Sequence, residues 1–504
     1  VEVQGIADGE VAKGIKAYNP IITGQLSREE IELSSKDENR PLQIKSSDIE
    51  ISNNEKKIKK YVPLSKRQDK PDSALWLIKQ HSILKDSQIA KLVGITKNSV
   101  TSIRNKSYWN YNSLNAKDPV AMGLFSQKDL LAAIEKAERR LIREKKDRII
   151  RFEKIKKTCP GVIVEGLPQT EVNNNSKHDL IWGYYNSLFY AWSTDKDIRF
   201  QSSTGGLLNG LSLYLLETNK VDFVLHTAGD PDNPMRSLPK FSYTKKDLLN
   251  CESRSRYGPA SPLSKFNEAL DTNKKFVFVG KPCDISAIRQ LSKIDERVNK
   301  QCLYLLTLVC GGSTEFTKSQ DFINSFNVKE EELDIFRYRG YGNPGLMYIK
   351  TKDGREHDKE YNSFWGDESN WRVHFRCKIC PDAIGECSDL AALDTWSGGS
   401  PAGEDEGFNA VIARTEKGIN LLNDAIKAGY IEKGDDLNID DINDFQPHQL
   451  NKKKAVYARH LGLKKNNLPT PQTQRLRIKE IYDNNDKKFN SVEEEGIASR
   501  VEKI

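Results

Sequence analysis

Cysteine is absent from the first 158 residues of this 504-residue chain, and all eight cysteines lie in the remainder. The chain also lacks a run of about 18 apolar residues and a secretory hydrophobic segment near its start, so we expect neither a transmembrane helix nor a signal peptide. A secreted disulfide scaffold would be smaller and denser in cysteine. These absences predict a cytoplasmic protein whose cysteines serve metal binding or redox chemistry.

The composition is polar and only mildly basic. Charged residues make up 30% of the chain and hydrophobic residues 37%, with a mean hydropathy of -0.64 and a net charge of +7. A chain of this length is predicted to form about two to four domains. Because the first residue is valine, we expect the sequence to begin inside a longer reading frame.

Residues 72–107 have the pattern of a helix-turn-helix, within a small all-α region that we place at 1–126. Asp86 is predicted to cap the second helix, Gly94 to end it in a tight turn, and Thr96 to cap a third helix. The polar, basic face of that third helix fits a DNA major groove. The residues predicted to face the DNA are Lys97, Asn98, Thr101 and Arg104. The alternative is a helical bundle with a solvated face.

A family resemblance extends beyond the helix-turn-helix pattern. It rests on the stretches GIADGEVAKGIKAYNPIITGQLSREEIE, YVPLSKRQDKPDSALWLIKQHSILKDSQIAKLVGITKNSVTSIRNKSYWN and DPVAMGLFSQKDL. These stretches, within about residues 1–140, closely resemble a small family of alphaproteobacterial cell-cycle transcriptional regulators. The resemblance implies transcription regulation, with DNA as the partner of this region.

Two basic segments flank the larger half of the chain. Residues 127–158 are predicted to form one long basic helix, which we interpret as a solvated linker rather than a nucleic-acid arm. Residues 461–504 are predicted to be a basic tail of flexible helix and linker. The segment between them, 159–460, contains all eight cysteines, and we treat it as one α/β domain.

Four of the cysteines follow a common pattern. Two apolar runs, FVFVG and CLYLLTLV, are predicted to be buried parallel strands, and Cys283 and Cys310 lie where each strand gives way to its loop. Cys377 and Cys380 form a C-x-x-C motif followed by proline. Four thiolates from three loops suit a 4Fe-4S cluster, although zinc would be satisfied by the same count. Cys302 and Cys251 are predicted to be ordinary residues.

A small-residue turn precedes a predicted helix at 207–215. Its members are Ser202, Ser203, Thr204, Gly205 and Gly206. Small residues at a helix N-terminus let backbone N–H groups approach a phosphate or a flavin closely. An ordinary glycine turn before a helix is the alternative interpretation.

The larger half resembles the beta-subunit family of coenzyme-deazaflavin hydrogenases and dehydrogenases, which includes a chlorophyll reductase branch. The matching motifs are STDKDIRFQSSTGG, SRYGPASPL, FVGKPCDISAIRQL, LVCGG, FRCKICPD, ECSDLAALDTW and GFNAVIARTEKG. The resemblance implies an open mixed sheet, FAD and a 4Fe-4S cluster. It also implies Cys283, Cys310, Cys377 and Cys380 as cluster ligands, and the small-residue turn and Lys281 as neighbours of the flavin. Cys387 is left out because relatives often have alanine there.

From these patterns we predict an FAD- and iron–sulfur-dependent oxidoreductase joined to a DNA-binding, regulator-like segment. Its partners would be an electron-donor protein or a hydrogenase/dehydrogenase-type subunit, and a small redox substrate. Lys281 is predicted to act on the flavin by stabilising its anionic reduced form. The alternative is a redox-sensing transcriptional regulator without turnover. We expect the joining of the two halves to reflect a recent fusion or an error of sequence assembly.

Overall fold

The structure is a computed structural model that describes residues 21, 26–37, 39–43, 69–172, 175–249, 255–367 and 370–501, without the side chains of 145–151. Cys251, predicted to be an ordinary residue, lies outside the described residues. The chain divides into two compact units, Val1–Ile142 and Arg143–Ile504. Across the described ranges, no helix combines the length and the apolar character needed to cross a membrane. The boundaries of the four predicted segments stay a prediction.

The described part of the first unit is helical. Its helices are α1 (Arg28–Lys36), α2 (Lys70–Gln80), α3 (Asp86–Val93), α4 (Lys97–Arg104) and the beginning of α5 (Gln127–Thr158). Helices α2 to α4 pack around a shared apolar core that includes Leu77, Ile89 and Val100. Three helices therefore occupy the predicted segment, while their assignment as a DNA-reading motif stays a prediction.

Two of the predicted helix boundaries are confirmed and one is wrong. Gly94 follows α3 with a φ of +70°, in the left-handed region that glycine adopts most easily, and the Thr96 hydroxyl accepts a hydrogen bond from the Ser99 N–H. Asp86, however, is the first residue of α3 rather than its cap, which is Lys85. The carboxylate of Asp86 instead binds side chains of α4.

A mixed, open eight-stranded sheet forms the centre of the second unit. Its strands follow the order β14-β4-β13-β12-β8-β7-β5-β6, in which β12, β8, β7 and β5 pair in parallel and the others antiparallel. The strands are β4 (Ser187–Ser193), β5 (Phe223–Gly229), β6 (Ser237–Ser242), β7 (Phe276–Gly280), β8 (Cys302–Leu308), β12 (Leu390–Asp394), β13 (Asn409–Ala413) and β14 (Ile431–Asp436). The predicted open mixed sheet and its two buried parallel strands, β7 and β8, are confirmed.

Helices cover both faces of this sheet. The helices of the second unit are α6 (Lys196–Gln201), α7 (Leu207–Glu217), α8 (Lys245–Leu249), α9 (Phe266–Asp271), α10 (Pro282–Ser292), α11 (Glu296–Gln301), α12 (Phe316–Asn324), α13 (Tyr361–Trp365), α14 (Phe375–Lys378), α15 (Glu416–Lys427), α16 (Ile439–Phe445), α17 (Pro447–Lys465), α18 (Ile478–Asn484) and α19 (Lys487–Val501). On one face α7 and α15 share a core with the sheet, and on the other α9, α10 and α11 do so. This two-sided burial explains why β7 and β8 are almost continuously apolar.

Smaller sheets complete the second unit. They are formed by β9 (Leu333–Arg337), β10 (Met347–Thr351) and β11 (Glu356–Lys359), by β2 (Lys177–Asp179) and β3 (Gly183–Tyr185), and by β1 (Ile163–Glu165) with β15 (Gln472–Gln474). The last pair is parallel and joins the two ends of the unit. The segment predicted to be a flexible tail thus contributes a strand and two helices, and α19 packs against α17 through ion pairs such as Arg459–Glu493.

Candidate functional site

A cavity of about 340 Å³ lies at the carboxyl ends of the parallel strands of the large sheet. Gly280 at the end of β7, Leu308 at the end of β8 and Asp394 at the end of β12 all line it. In open α/β sheets, ligands bind in this position, where the loops from neighbouring strands diverge. Its volume falls in the range of about 300–1,000 Å³ that small-molecule and cofactor sites occupy.

Aromatic side chains form one wall of the cavity. They include Tyr361, Trp365, Trp371 and Trp396. The guanidinium of Arg339 stacks against this wall, 4.5 Å from the ring centre of Trp396. Flat, apolar surfaces of this kind bind planar ring systems and exclude water from them.

An ion pair between a buried arginine and a half-buried aspartate forms the polar floor of the cavity. Arg339 is 2% exposed, and its Nη1 donates to Asp394 Oδ2 over 2.9 Å. Asp394 also accepts a hydrogen bond of 2.5 Å from the Thr204 hydroxyl. Asp394 lies in the motif ECSDLAALDTW, from which the sequence assigned no role to any single residue, and Arg339 was missed. The structure assigns both to holding the small-residue turn, because Arg339 also donates to the Ser203 carbonyl.

The members of the predicted small-residue turn have different positions. Ser202, Ser203, Thr204 and Gly206 line the cavity. Gly205 does not belong to the lining: a Cβ at this position would lie 2.9 Å from the Trp192 Cβ and 3.0 Å from the Asn409 nitrogen. The first N–H of α7, on Leu207, donates to the Asn409 side chain. Close packing between the start of α7 and the sheet therefore explains why residue 205 is glycine. Ser202, Ser203 and Thr204 remain candidates for ligand contact.

Lys281 lies between the cavity and the cysteines. Its Nζ forms an ion pair of 2.8 Å with Asp284 Oδ2, and the residue lines the cavity. Burial lowers the pKa of Lys281, but Asp284 and the nearby thiols outweigh this effect, so that the pKa lies above its usual value. The side chain is therefore a stable cation beside the cavity.

The structure brings the four predicted cysteines to neighbouring loops. Cys283 lies in the first turn of α10, Cys310 follows β8, Cys377 is in α14, and Cys380 follows α14. The Ser313 N–H donates to Cys377 Sγ over 3.4 Å, which joins the loop after β8 to the C-x-x-C loop.

The ionisation of each thiol also depends on the charges of its neighbours. Burial raises the pKa of Cys283, and the charges of Asp284, Cys380 and Cys310 raise it further. Burial likewise raises the pKa of Cys310, and it raises the pKa of Cys380 to about 12. Thiols in this setting become thiolates when a metal displaces their protons.

The spacing of this group differs from that of a compact single-ion site. Among the described residues, no three histidine, cysteine, aspartate or glutamate side chains are close enough together to hold one metal ion. Zinc binds thiolates at about 2.3 Å and therefore needs its sulfurs tightly clustered. A 4Fe-4S cluster takes one thiolate per iron and needs them farther apart. The described residues therefore form no single-ion site, and a cluster on the four thiols stays a prediction.

The other described cysteines have structural surroundings. Cys387 is buried and donates to the Glu165 carbonyl over 2.9 Å. Cys302 is buried at the start of β8, where burial raises its pKa to about 12. Cys159 is half-buried near the beginning of the second unit, and its sulfur accepts from the Gly161 N–H.

One short loop belongs to both the cavity and the cysteine group. Residues 309–313, directly after β8, line the cavity and include Cys310. A cofactor in the cavity and a cluster on the thiols would therefore share this loop. Such proximity is what transfer of electrons between two redox groups requires.

In the first unit, the predicted DNA-facing residues divide into two pairs. Lys97 and Asn98 are exposed. The Thr101 hydroxyl and the Arg104 Nε each donate to the Asp86 carboxylate over 2.7 Å. The second pair therefore holds α4 against the start of α3, which leaves Lys97 and Asn98 as the exposed candidates.

Comparison with protein families identifies relatives of both halves. Residues 188–267 match the family described as coenzyme F420 hydrogenase/dehydrogenase, beta subunit N-term, and residues 273–436 match its C terminus. Residues 1–139 match the family described as transcriptional cell cycle regulator TrcR.

Individual proteins are similar to the second half. The coenzyme F420 hydrogenase subunit beta of Methanococcus voltae is 26% identical over 301 residues, which cover 56% of this chain and 98% of the relative. The F420-dependent formate dehydrogenase 1 subunit beta of Methanococcus maripaludis is 29% identical over 254 residues, covering 49% of this chain and 61% of the relative.

A solved chain of the F420-reducing NiFe hydrogenase complex from Methanosarcina barkeri aligns with 58% of this chain and 98% of its own length, at 20% identity and a TM-score of 0.46. Both resemblances predicted from the sequence are thus confirmed by the family matches. Residues 188–267 and 273–436 are similar to the beta subunits of coenzyme F420 hydrogenases and dehydrogenases, and residues 1–139 are similar to the TrcR regulators.

Proposed function

We propose that the second unit is an iron–sulfur flavoprotein that passes electrons between a protein donor and a small redox substrate. The observation that carries this proposal is the loop 309–313, which lines the cavity and contributes Cys310 to the thiol group. The similarity to hydrogenase and formate dehydrogenase subunits supports the same conclusion. FAD would occupy the cavity, and Cys283, Cys310, Cys377 and Cys380 would hold one 4Fe-4S cluster.

The cofactors would supply the difficult chemistry, with hydride or two-electron transfer at the flavin and single-electron transfer at the cluster. The protein would orient and insulate them. The aromatic wall gives a planar ring a water-poor surface, and the Arg339–Asp394 pair keeps the small-residue turn in place. Lys281, as a stable cation, would favour a reduced and negatively charged flavin ring.

The names of the relatives suggest a substrate and a partner. Coenzyme F420 is the redox substrate named for several of them, and a hydrogenase or formate dehydrogenase complex is the assembly to which they belong. We therefore propose a deazaflavin as the first substrate to test, and a catalytic subunit of a hydrogenase or dehydrogenase as the electron-donating partner.

The decisive experiment is anaerobic purification followed by analysis of iron, acid-labile sulfide, zinc and FAD. The proposal expects about four irons and four sulfides per chain together with FAD. Cys380→Ala should lose most of the iron, while the matched control Cys302→Ala, which changes a buried thiol outside the group of four, should retain it. A protein that contains zinc instead of iron would contradict the proposal, and so would a cluster that survives in Cys380→Ala.

A second candidate function is a redox-sensing transcriptional regulator. The similarity of residues 1–139 to the TrcR family favours it. In this case, reduction of the cluster or flavin would change DNA affinity without turnover of a substrate. Fluorescence anisotropy with a labelled duplex, measured on oxidised and dithionite-reduced protein at one salt concentration, tests it. Equal affinities in both states would contradict redox sensing.

A further inference from the structure

Helix α17 (Pro447–Lys465) carries a row of cations to the loops of the proposed cluster, although it lies beyond the residues matched by the family models. The cationic or imidazole side chains that reach these loops are Lys452, Lys453, Arg459 and His460. They occupy positions i, i+1, i+7 and i+8 of the helix. These positions share one face over two turns.

Three of these side chains bind backbone carbonyls of the C-x-x-C loop. The contacts are Arg459 Nη1 to the Lys378 oxygen at 2.8 Å, His460 Nε2 to the Ile379 oxygen at 2.9 Å, and Lys453 Nζ to the Pro381 oxygen at 2.9 Å. Because a carbonyl only accepts, Nε2 of His460 carries the proton and donates it. The negative ends of three peptide dipoles in this loop are therefore directed toward α17.

The fourth side chain, Lys452, binds the other cysteine loop. Its Nζ donates to the Gly311 oxygen over 2.6 Å, next to Cys310. The neighbouring Lys453 binds the Pro381 oxygen, next to Cys380. Helix α17 thus joins the loop after β8 to the C-x-x-C loop, and Lys452 places a positive charge next to Cys310.

A backbone N–H group also faces these thiols. The Ser313 N–H donates to Cys377 Sγ over 3.4 Å. Hydrogen bonds to the sulfurs and nearby charge are two of the factors that set the reduction potential of an iron–sulfur cluster.

We propose that α17 tunes the cluster, with Lys452 stabilising its reduced state and Arg459, His460 and Lys453 positioning the C-x-x-C loop. This inference rests on the proposed function, because it requires a cluster on the four thiols. One electron from the protein donor enters the cluster and adds one negative charge, while no covalent bond changes. A fixed cation next to Cys310 makes that added charge more favourable and raises the potential.

The test is a redox titration of the anaerobically purified full-length protein, followed by the electron paramagnetic resonance signal of the reduced cluster. Lys452→Gln removes the charge, and Lys452→Arg restores it. Lys465→Gln is a matched control on the same helix, because its ammonium pairs with Glu494 over 2.7 Å and is 62% exposed. Iron and sulfide are measured in every variant.

Lys452→Gln is expected to keep its iron and to show, at the wild-type midpoint potential, a reduced-to-oxidised ratio at least threefold lower. This corresponds to a downward shift of about 30 mV for a one-electron couple. Lys452→Arg and Lys465→Gln should titrate like the wild type. An intact cluster with an unchanged potential in Lys452→Gln would overturn the tuning role alone. A wild-type protein without iron and sulfide would overturn the proposed function, and the tuning role with it.

Discussion

Replacing Glu386 by glutamine removes a carboxylate that compensates two buried cations. The side chain of Glu386 is 4% exposed and pairs with Lys453, which is 2% exposed, and with Arg477, which is 11% exposed. Loss of one partner from a buried ion pair leaves an uncompensated charge and costs about 3–5 kcal/mol. Because Lys453 also binds the Pro381 carbonyl, the same change loosens the C-x-x-C loop.

Differential scanning calorimetry of the metal-free protein measures this loss. The second unit has about 360 residues, and at about 2.1 cal/mol/K per residue its unfolding entropy is about 0.8 kcal/mol/K. The transition of this unit should therefore move down by about 4–7 °C in Glu386→Gln. Glu296→Gln, which breaks an exposed ion pair with Lys300, is the matched control and should leave the transition unchanged.

The pH dependence gives a second readout of the same network. Burial raises the pKa of Glu386, but Lys453 and Arg477 outweigh this effect, and the pKa in the folded protein lies below its usual value. The stabilisation is therefore complete above the unfolded pKa of about 4.3 and is lost as the pH falls through the folded value. Since glutamine does not titrate, the difference in transition temperature between the wild type and Glu386→Gln should become smaller on acidification. An unshifted transition near neutral pH in Glu386→Gln would refute the reasoning.

Three further predictions concern the cavity and the first unit. Gly205→Ala should destabilise the second unit by about 1–3 kcal/mol in chemical denaturation, because the new methyl group meets the backbone of Asn409, and an unchanged midpoint would contradict the packing role. Lys281→Ala should make the bound flavin harder to reduce in a spectroscopic redox titration, and an unchanged flavin potential would remove its proposed role. Lys97→Ala should weaken DNA binding and reduce the magnitude of the slope of log affinity against log salt by about 0.9. Thr101→Val should instead lower the thermal midpoint of the first unit, because its hydroxyl binds Asp86. A destabilised Lys97→Ala with unchanged DNA affinity would contradict the assignment of Lys97 to DNA contact.

The sequence was informative wherever one local pattern determined a structure. Strands β7 and β8 are almost continuously apolar because both faces of the sheet are covered, so that Cys283 and Cys310 could be placed at their ends. Gly94 and Thr96 were predicted correctly because a left-handed turn and a helix cap each depend on one residue type.

Interactions between distant segments could not be predicted in this way. Arg339 and Asp394 are 55 residues apart, and nothing in the local pattern around either indicates that they pair. Asp86 has the residue type of a helix cap, but its carboxylate binds Thr101 and Arg104 of the next helix instead. Residues 461–504 were predicted to be a flexible basic tail, because a sequence shows positive charges without showing the partners that they bind, such as Glu494 for Lys465.

Because Ile163 pairs in parallel with Gln472, the part of the chain that folds cooperatively extends beyond the residues matched by the family models. The family match ends at residue 436, but Val456 of α17 belongs to the same apolar core as Phe276 and Phe278 of β7. A chain ending at residue 436 would lose β15, the partner of β1, and would open the core beside the strand that leads to Cys283. Residues 437–501 therefore belong to the same cooperative unit as the large sheet, and a protease that cuts within them should unfold the second unit as a whole.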